Sequence, residues 1–285
     1  MLKQKLNRFL LIFSENGIRA AIYSTFNFII EQAASVWQRT KNKVRYQAKY
    51  GGSAPTTYKL ININPTNVDW LIVPRYIESE KYATYVRVGN WDTARSNESI
   101  HYLGTKEGYQ YSDNPKLIPI ENWTFYQSIE NHFIGGVPWR ETKIFEVLVQ
   151  EYCRPGSRWG PTKETVLSRL SELELLYQDI DENGYLTQAQ LHSRDNVYLN
   201  PPGENPPEKG EVLVNIGRDG EIIFCTGRHR FCVARVLGIE EILVRVHVRH
   251  KQWQEIRHQF YSRPLSEIDE SIKKYRTHPD IRNLI

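Results

Sequence analysis

The chain has 285 residues, of which 40% are hydrophobic and 25% charged, a balance that supports a real core and excludes a disordered or fibrous chain. Its formal net charge of +4 is unevenly spread: residues 1–50 carry nine Lys or Arg against Glu15 and Glu31 only, which leaves a slightly acidic body behind a basic head. The three cysteines, Cys153, Cys225 and Cys232, show no Cys-x-x-Cys spacing and read as reduced, buried thiols of a cytoplasmic protein.

The head has a helical apolar rhythm in two pieces. Leu6, Phe9, Leu10 and Phe13 form a first stripe, Ser14 to Gly17 interrupt it, and Ile18, Ile22, Phe26, Ile29, Ile30, Ala33 and Trp37 resume it at three- and four-residue spacing. No apolar run reaches the roughly 20 residues of a spanning helix, and no compact stretch ends in a small-residue cleavage site. Residues 1–50 therefore read as a basic amphipathic helix pair. It suits an anionic membrane surface, so the protein is expected to be cytoplasmic or peripherally membrane-bound, while packing on the body or on a twin subunit in a homodimer stays open. Nucleic acid is supported by charge alone.

Gly51-Gly52-Ser53-Ala54-Pro55 reads as a linker. Leu60 to Ile63 alternates as a strand, Asn64-Pro65 turns, and Trp70 to Val73 before Pro74 is a second apolar run. The sequences Gly89-Asn90-Trp91-Asp92-Thr93 and Trp139-Arg140-Glu141-Thr142 each set a carboxylate beside a Trp and a Thr. Asp92 and Glu141 are thus the candidates for a base that orients or deprotonates an attacking hydroxyl, against the plainer reading of capped helices and core tryptophans. Pro161 to Tyr177 reads as a helix with Thr162 as its cap, Thr165 at the capping-box position and Val166, Leu170, Leu173 and Leu176 on one face. Asp179 to Gly184 lacks the alternating ligands of a calcium loop, and Asn200 to Gly210 reads as a Pro/Gly connector.

The most informative stretch is Thr226-Gly227-Arg228-His229-Arg230. The apolar run Glu221 to Cys225 feeds into it, and a helix from about His229 to Leu237 follows, stopped by Gly238. A glycine turn entering a helix aims backbone N–H groups and the positive end of the helix dipole outward, and three basic side chains on that turn are disfavoured there unless an anion offsets them. Ile242 to Val248 then reads as a strand, Arg249 and His250 as a solvated basic edge, and the last 37 residues as a polar tail.

Ile216-Gly217-Arg218-Asp219-Gly220-Glu221 to Phe224, Gly227-Arg228-His229-Arg230 and Ala234-Arg235-Val236-Leu237-Gly238 resemble the ParB/sulfiredoxin superfamily over about residues 211–248. The resemblance implies an α+β fold: a mixed sheet with helices over residues 56–285, enlarged by a mainly helical insertion at about 80–205. It implies a nucleotide ligand, ATP, ADP or CTP, held by Gly227, Arg228, His229 and Arg230 with Arg218 added from the preceding turn. Arg228 stands where sulfiredoxins carry their cysteine, and the short tail has no room for the DNA-reading domain of partitioning ParB proteins. The remaining expectation is a nucleotide-dependent kinase using Mg²⁺ and acting on a hydroxyl of a small metabolite, glycan or lipid head group, with Arg228 stabilising the transferring charge and Asp92 or Glu141 as base. The alternative is a CTP- or ATP-gated DNA-binding or regulatory protein without kinase activity.

Overall fold

Short aliphatic strands with alternating inward and outward side chains build one mixed, open sheet. The computed structural model describes residues 40–56, 58–74, 86–101, 114–157, 159–193 and 207–285, with the isolated positions 23, 26 and 37. The strands are β1 (Leu60–Ile63), β2 (Trp70–Val73), β3 (Val86–Arg87), β4 (Lys116–Pro119), β5 (Val212–Ile216), β6 (Ile222–Thr226) and β7 (Ile242–His250). Their order is β1-β7-β5-β6-β2-β4, with β3 paired to β7. β2 runs parallel to β6, and β5 and β3 run parallel to β7; the other pairs are antiparallel. The fold is α+β, and two strands of the long 80–205 segment, β3 and β4, join the sheet rather than standing apart from it.

The two-residue period of a strand sorts its side chains between two cores. On β6, Phe224 joins the main cluster with Val214 of β5 and Leu71 of β2, while Ile223 and Cys225 face a smaller one with Leu213, Leu117, Ile72 and Trp91. Helices cover the main cluster. α2 (Thr124–Phe133), α3 (Lys143–Val147), α4 (Lys163–Asn183) and α5 (Gln188–His192) come from the long segment, and α6 (Arg228–Val236) follows β6 directly. α4 starts at the Thr162/Thr165 capping box read from the sequence, buries Val166, Leu170, Leu173 and Ile180, and runs past the expected end at Tyr177 to a stop at Gly184, whose φ is 74°. α2 and α4 both pack on α6.

Two expected surface segments are structural. The Gly51–Ser53 stretch is not a linker but a 3₁₀ turn after α1 (described over 40–50), and Ser53 is fully buried there. Its carbonyl accepts from Gln254 Nε2 and Arg257 Nη1, both at 2.7 Å. The presumed polar tail contains α7 (Lys251–Ser262) and α8 (Glu270–Lys273), and α7 buries Trp253, Gln254, Arg257 and Phe260 on one face.

Asp280 holds this end together. Its carboxylate takes Arg249 Nε at 2.8 Å, Arg249 Nη2 at 2.7 Å and Trp253 Nε1 at 2.9 Å, and it pairs with Arg257 Nε at 2.9 Å. Arg249 is therefore no solvated edge: it is 1% exposed, and His250 is buried beside it, with Nδ1 accepting the Gln252 N–H that opens α7. Burial alone would raise the Asp280 pKa, but Arg249 and Arg257 overwhelm it and hold the acid far below its usual range. Burial, reinforced by Arg249, lowers Arg257 to about 10. Because the folded-state pKa of Asp280 is depressed, its contribution is complete above the unfolded value near 4 and fades only as pH falls through the acid range. Asp280→Ala strands two buried guanidinium groups and is expected to cost about 3–5 kcal/mol in urea unfolding at neutral pH; the same comparison in strong acid should show a smaller difference.

Candidate functional site

Gly227 sits where β6 stops and α6 begins, and its backbone is left-handed, with φ 95°. A Cβ at this position would lie 2.9 Å from Val212 Cα, so the turn admits only glycine on two independent counts. The first N–H of α6 to return a bond to the turn is that of Phe231, to Gly227 O at 3.1 Å. The N–H groups of Arg228, His229 and Arg230 thus form the donor end of the helix, where the dipole is positive. Thr226, Gly227, Arg228 and His229 are half-buried, which leaves this end reachable.

The three basic side chains of the turn part company. Arg228 lies over two aromatic rings, its Cζ 5.2 Å from the Phe125 centroid and 5.9 Å from that of Trp159. The His229 ring is 5.6 Å from Phe125. Arg230 turns inward, which corrects the expectation that its side chain faces a phosphate. It is 4% exposed, donates from Nη1 to Glu211 Oε2 at 3.1 Å and from Nη2 to the Leu186 carbonyl, and covers the Tyr185 ring at 4.3 Å. Arg230 opens the run of α6 residues that is buried on all sides, with Phe231, Cys232, Val233 and Ala234, whereas Arg228 and His229 precede it and stay half-buried.

Sequence reasoning passed over the residues behind Arg230. Glu211, the buried carboxylate heading β5, also accepts the Gln188 N–H at 2.6 Å and so ties the start of α5 to the turn at Gly227. Burial pushes the Glu211 carboxyl up, and Arg230 and Gln188 offset part of that rise. The Tyr185 hydroxyl and Gln188 Nε2 are buried without a hydrogen-bond partner in the same cluster. The legible signal for Glu211 was an acid placed immediately before the apolar run Val212-Leu213-Val214.

Arg218 and Asp92 meet each other and not Gly227. They lie at the β5–β6 turn, at the opposite end of β6, which its five residues separate from Gly227 by about 16 Å. Asp92 receives the Arg218 backbone N–H at 2.6 Å, Nε at 3.1 Å and Nη2 at 2.7 Å, while Nη2 also reaches Gly89 O and Asn90 Oδ1 at 3.0 Å. Burial would raise the Asp92 pKa, but the hydrogen bonds from Arg218 outweigh it and keep the carboxyl below its ordinary range. A base so committed is a fastener for the turn. The turn is also pinned by Gly220, where an added Cβ would lie 2.6 Å from the Trp253 ring, and by His278 Nε2 on Gly220 O at 2.9 Å. Beside it opens a cavity of about 180 Å³ lined by Asp92, Thr93, Arg95, Arg218, Asp219 and Glu221.

Glu141 is exposed, at the end of the 3₁₀ turn Trp139–Glu141. The neighbouring Trp139 is a core residue, stacked on His132 at 3.9 Å and donating from Nε1 to Glu174 at 2.9 Å. Among the described residues no group of three or more His, Cys, Asp or Glu is placed to hold a metal ion. None of the three cysteines is in a disulfide, and Cys225 and Cys232 are buried. No helix among the described residues is long and apolar enough to cross a membrane. No protein-family model, no curated protein and no solved structure matches the chain.

Gly227→Ala forces both a left-handed alanine and a contact with the Val212 backbone, and it is expected to lower stability by at least about 1–3 kcal/mol in urea unfolding. Gly89→Ala, also at positive φ but with nothing within 4 Å of its added Cβ, is the control and should lose less.

Proposed function

We propose that the chain is a nucleotide-binding protein that grips its ligand by the phosphates at the N-terminus of α6. The observation that carries this reading is the turn at Gly227: a backbone conformation closed to other residues presents the donor end of a nine-residue helix, flanked by the half-buried Arg228 and His229. Backbone donors in fixed orientation, a positive dipole end and adjoining cations are the elements of an oxyanion cradle. Two polar groups lacking partners, on Tyr185 and Gln188, lie one layer behind it. The likeness of residues 211–248 to ParB/sulfiredoxin-type cores, which hold ATP, ADP or CTP on such a loop, supports a nucleotide over a simple anion.

The ligand-holding set is Gly227, Arg228 and His229 with the first N–H groups of α6. Arg230 contributes its backbone N–H and uses its side chain to fasten the turn to Glu211. Arg218 belongs to the other end of the sheet and is outside this set. Phosphoryl transfer to a hydroxyl needs a carboxylate at the reacting oxygen, and Asp92 is engaged with Arg218 at the far end of β6. The reading therefore centres on binding, with magnesium arriving on the nucleotide phosphates.

Thermal-shift titration with ATP, ADP, CTP and inorganic phosphate, each with and without Mg²⁺, tests it. At least one nucleotide is expected to raise the melting temperature in a saturable way and to do so better than phosphate. Arg228→Ala, which removes one charge-assisted contact, should weaken that nucleotide about tenfold or more. A flat response to every nucleotide, or one that Arg228→Ala and His229→Ala together leave intact, overturns the assignment.

A further inference from the structure

We propose that His278 is an acid-sensitive latch that holds the β5–β6 turn to the C-terminal segment and releases it on protonation. The geometry fixes the state of the ring. Nε2 lies 2.9 Å from Gly220 O, and Nδ1 lies 3.1 Å from the Asp280 backbone N. A carbonyl only accepts and a backbone N–H only donates, so the closed latch has its proton on Nε2 and a lone pair on Nδ1. The neutral imidazole makes both bonds. The imidazolium keeps one, because its second proton points at the Asp280 N–H.

The turn that the latch holds has no slack. Gly220 has a φ of 82°, and the Trp253 ring that a Cβ there would strike also packs on the His278 ring at 4.5 Å. The same turn carries Gly217, Arg218 and Asp219 into the wall of the cavity of about 180 Å³. Opening the latch therefore loosens one wall of that cavity together with the segment that holds Asp280.

The charges around the ring set the pH at which this happens. On its own segment the ring faces the Asp280 carboxylate, and from β7 and α7 it faces Arg249 and Arg257. On the turn, Arg218 is paired with Asp92, and Asp219 is exposed. The Asp280 carboxylate is already taken up by both guanidinium groups and the Trp253 N–H, so it offers little to a new cation. Burial is the largest influence on His278; Asp280 and the Gly220 carbonyl oppose it, the two arginines reinforce it, and the ring pKa ends below its ordinary value. The ring is half-buried, within reach of protons from water. Because the folded-state pKa is depressed, the contribution of the latch is complete above the unfolded value near 6.5 and is lost as pH falls through the folded-state value. That loss begins well before Asp280 takes up a proton. The turn lies at the far end of β6 from Gly227, so the latch does not rest on the nucleotide reading.

The test is an NMR pH titration of the full chain from about pH 7.5 to about pH 4.5. The His278 ring is expected to start as the Nε2–H tautomer and to titrate below 6.5. Hydrogen-exchange protection of the Gly220 and Asp280 amides should fall with it, by up to about tenfold per pH unit. His278→Gln, whose side-chain amide donates to one partner and accepts from the other without titrating, should keep that protection across the range. A ring that titrates at or above its ordinary value, or protection that stays constant through the titration, overturns the proposal. So does loss of protection in His278→Gln that parallels the wild type. The first two readouts need only the wild-type chain, so they decide the matter even where the variant does not fold.

Discussion

Gly227 and Val212 approach more closely than any side chain at position 227 would allow, and the arrangement of the chain around the sheet follows from that contact. It sets the start of α6 directly against the head of β5. The donor end of α6 then lies beside Glu211, which catches Arg230 and, through Gln188, fixes α5. With α6 so placed, its buried residues Phe231, Cys232 and Ala234 enter the main core, and α2 and α4 close over it. A methyl group at one turn would disturb the hairpin, the helix and the polar cluster together.

Arginine–carboxylate pairs do the fastening at three places. Arg230 with Glu211 secures the turn at Gly227, Arg218 with Asp92 secures the β5–β6 turn, and Arg249 and Arg257 with Asp280 secure the C-terminal segment. Such pairs add little net stability over apolar packing of the same volume, but breaking one leaves a stranded charge, so they fix position. Their geometry also sorts the cations by task. Of the three consecutive basic residues after Gly227, Arg230 is buried against Glu211, while Arg228 and His229 lie half-buried beside the Phe125 ring.

The strands and the turn were legible because each carries its own local signal. Leu60–Ile63 and Trp70–Val73 form as read, and the run before Gly227 leads into a helix that begins one residue earlier than expected. Thr162 and Thr165 announced α4 through a capping box that depends on neighbours alone. Burial of charge was not legible in this way. Arg249, Arg257 and Asp280 look like surface residues until the fold brings a residue 31 positions away against Arg249. The pairing of Arg218 with Asp92 spans 126 positions, and no local pattern encodes it. The expectations for residues 1–39 fall largely outside the described residues, as does most of the Pro/Gly connector before residue 207, and of the head the described part is residues 40–50 with positions 23, 26 and 37.

The most direct test of the central claim is a backbone amide titration by NMR with the nucleotide that binds best. The account predicts saturable shifts that are largest at the N–H groups of Gly227, Arg228, His229 and Arg230, with smaller changes at Glu211 and Gln188 behind them. Shifts centred instead on Arg218 and Asp92, at the far end of β6, would contradict it.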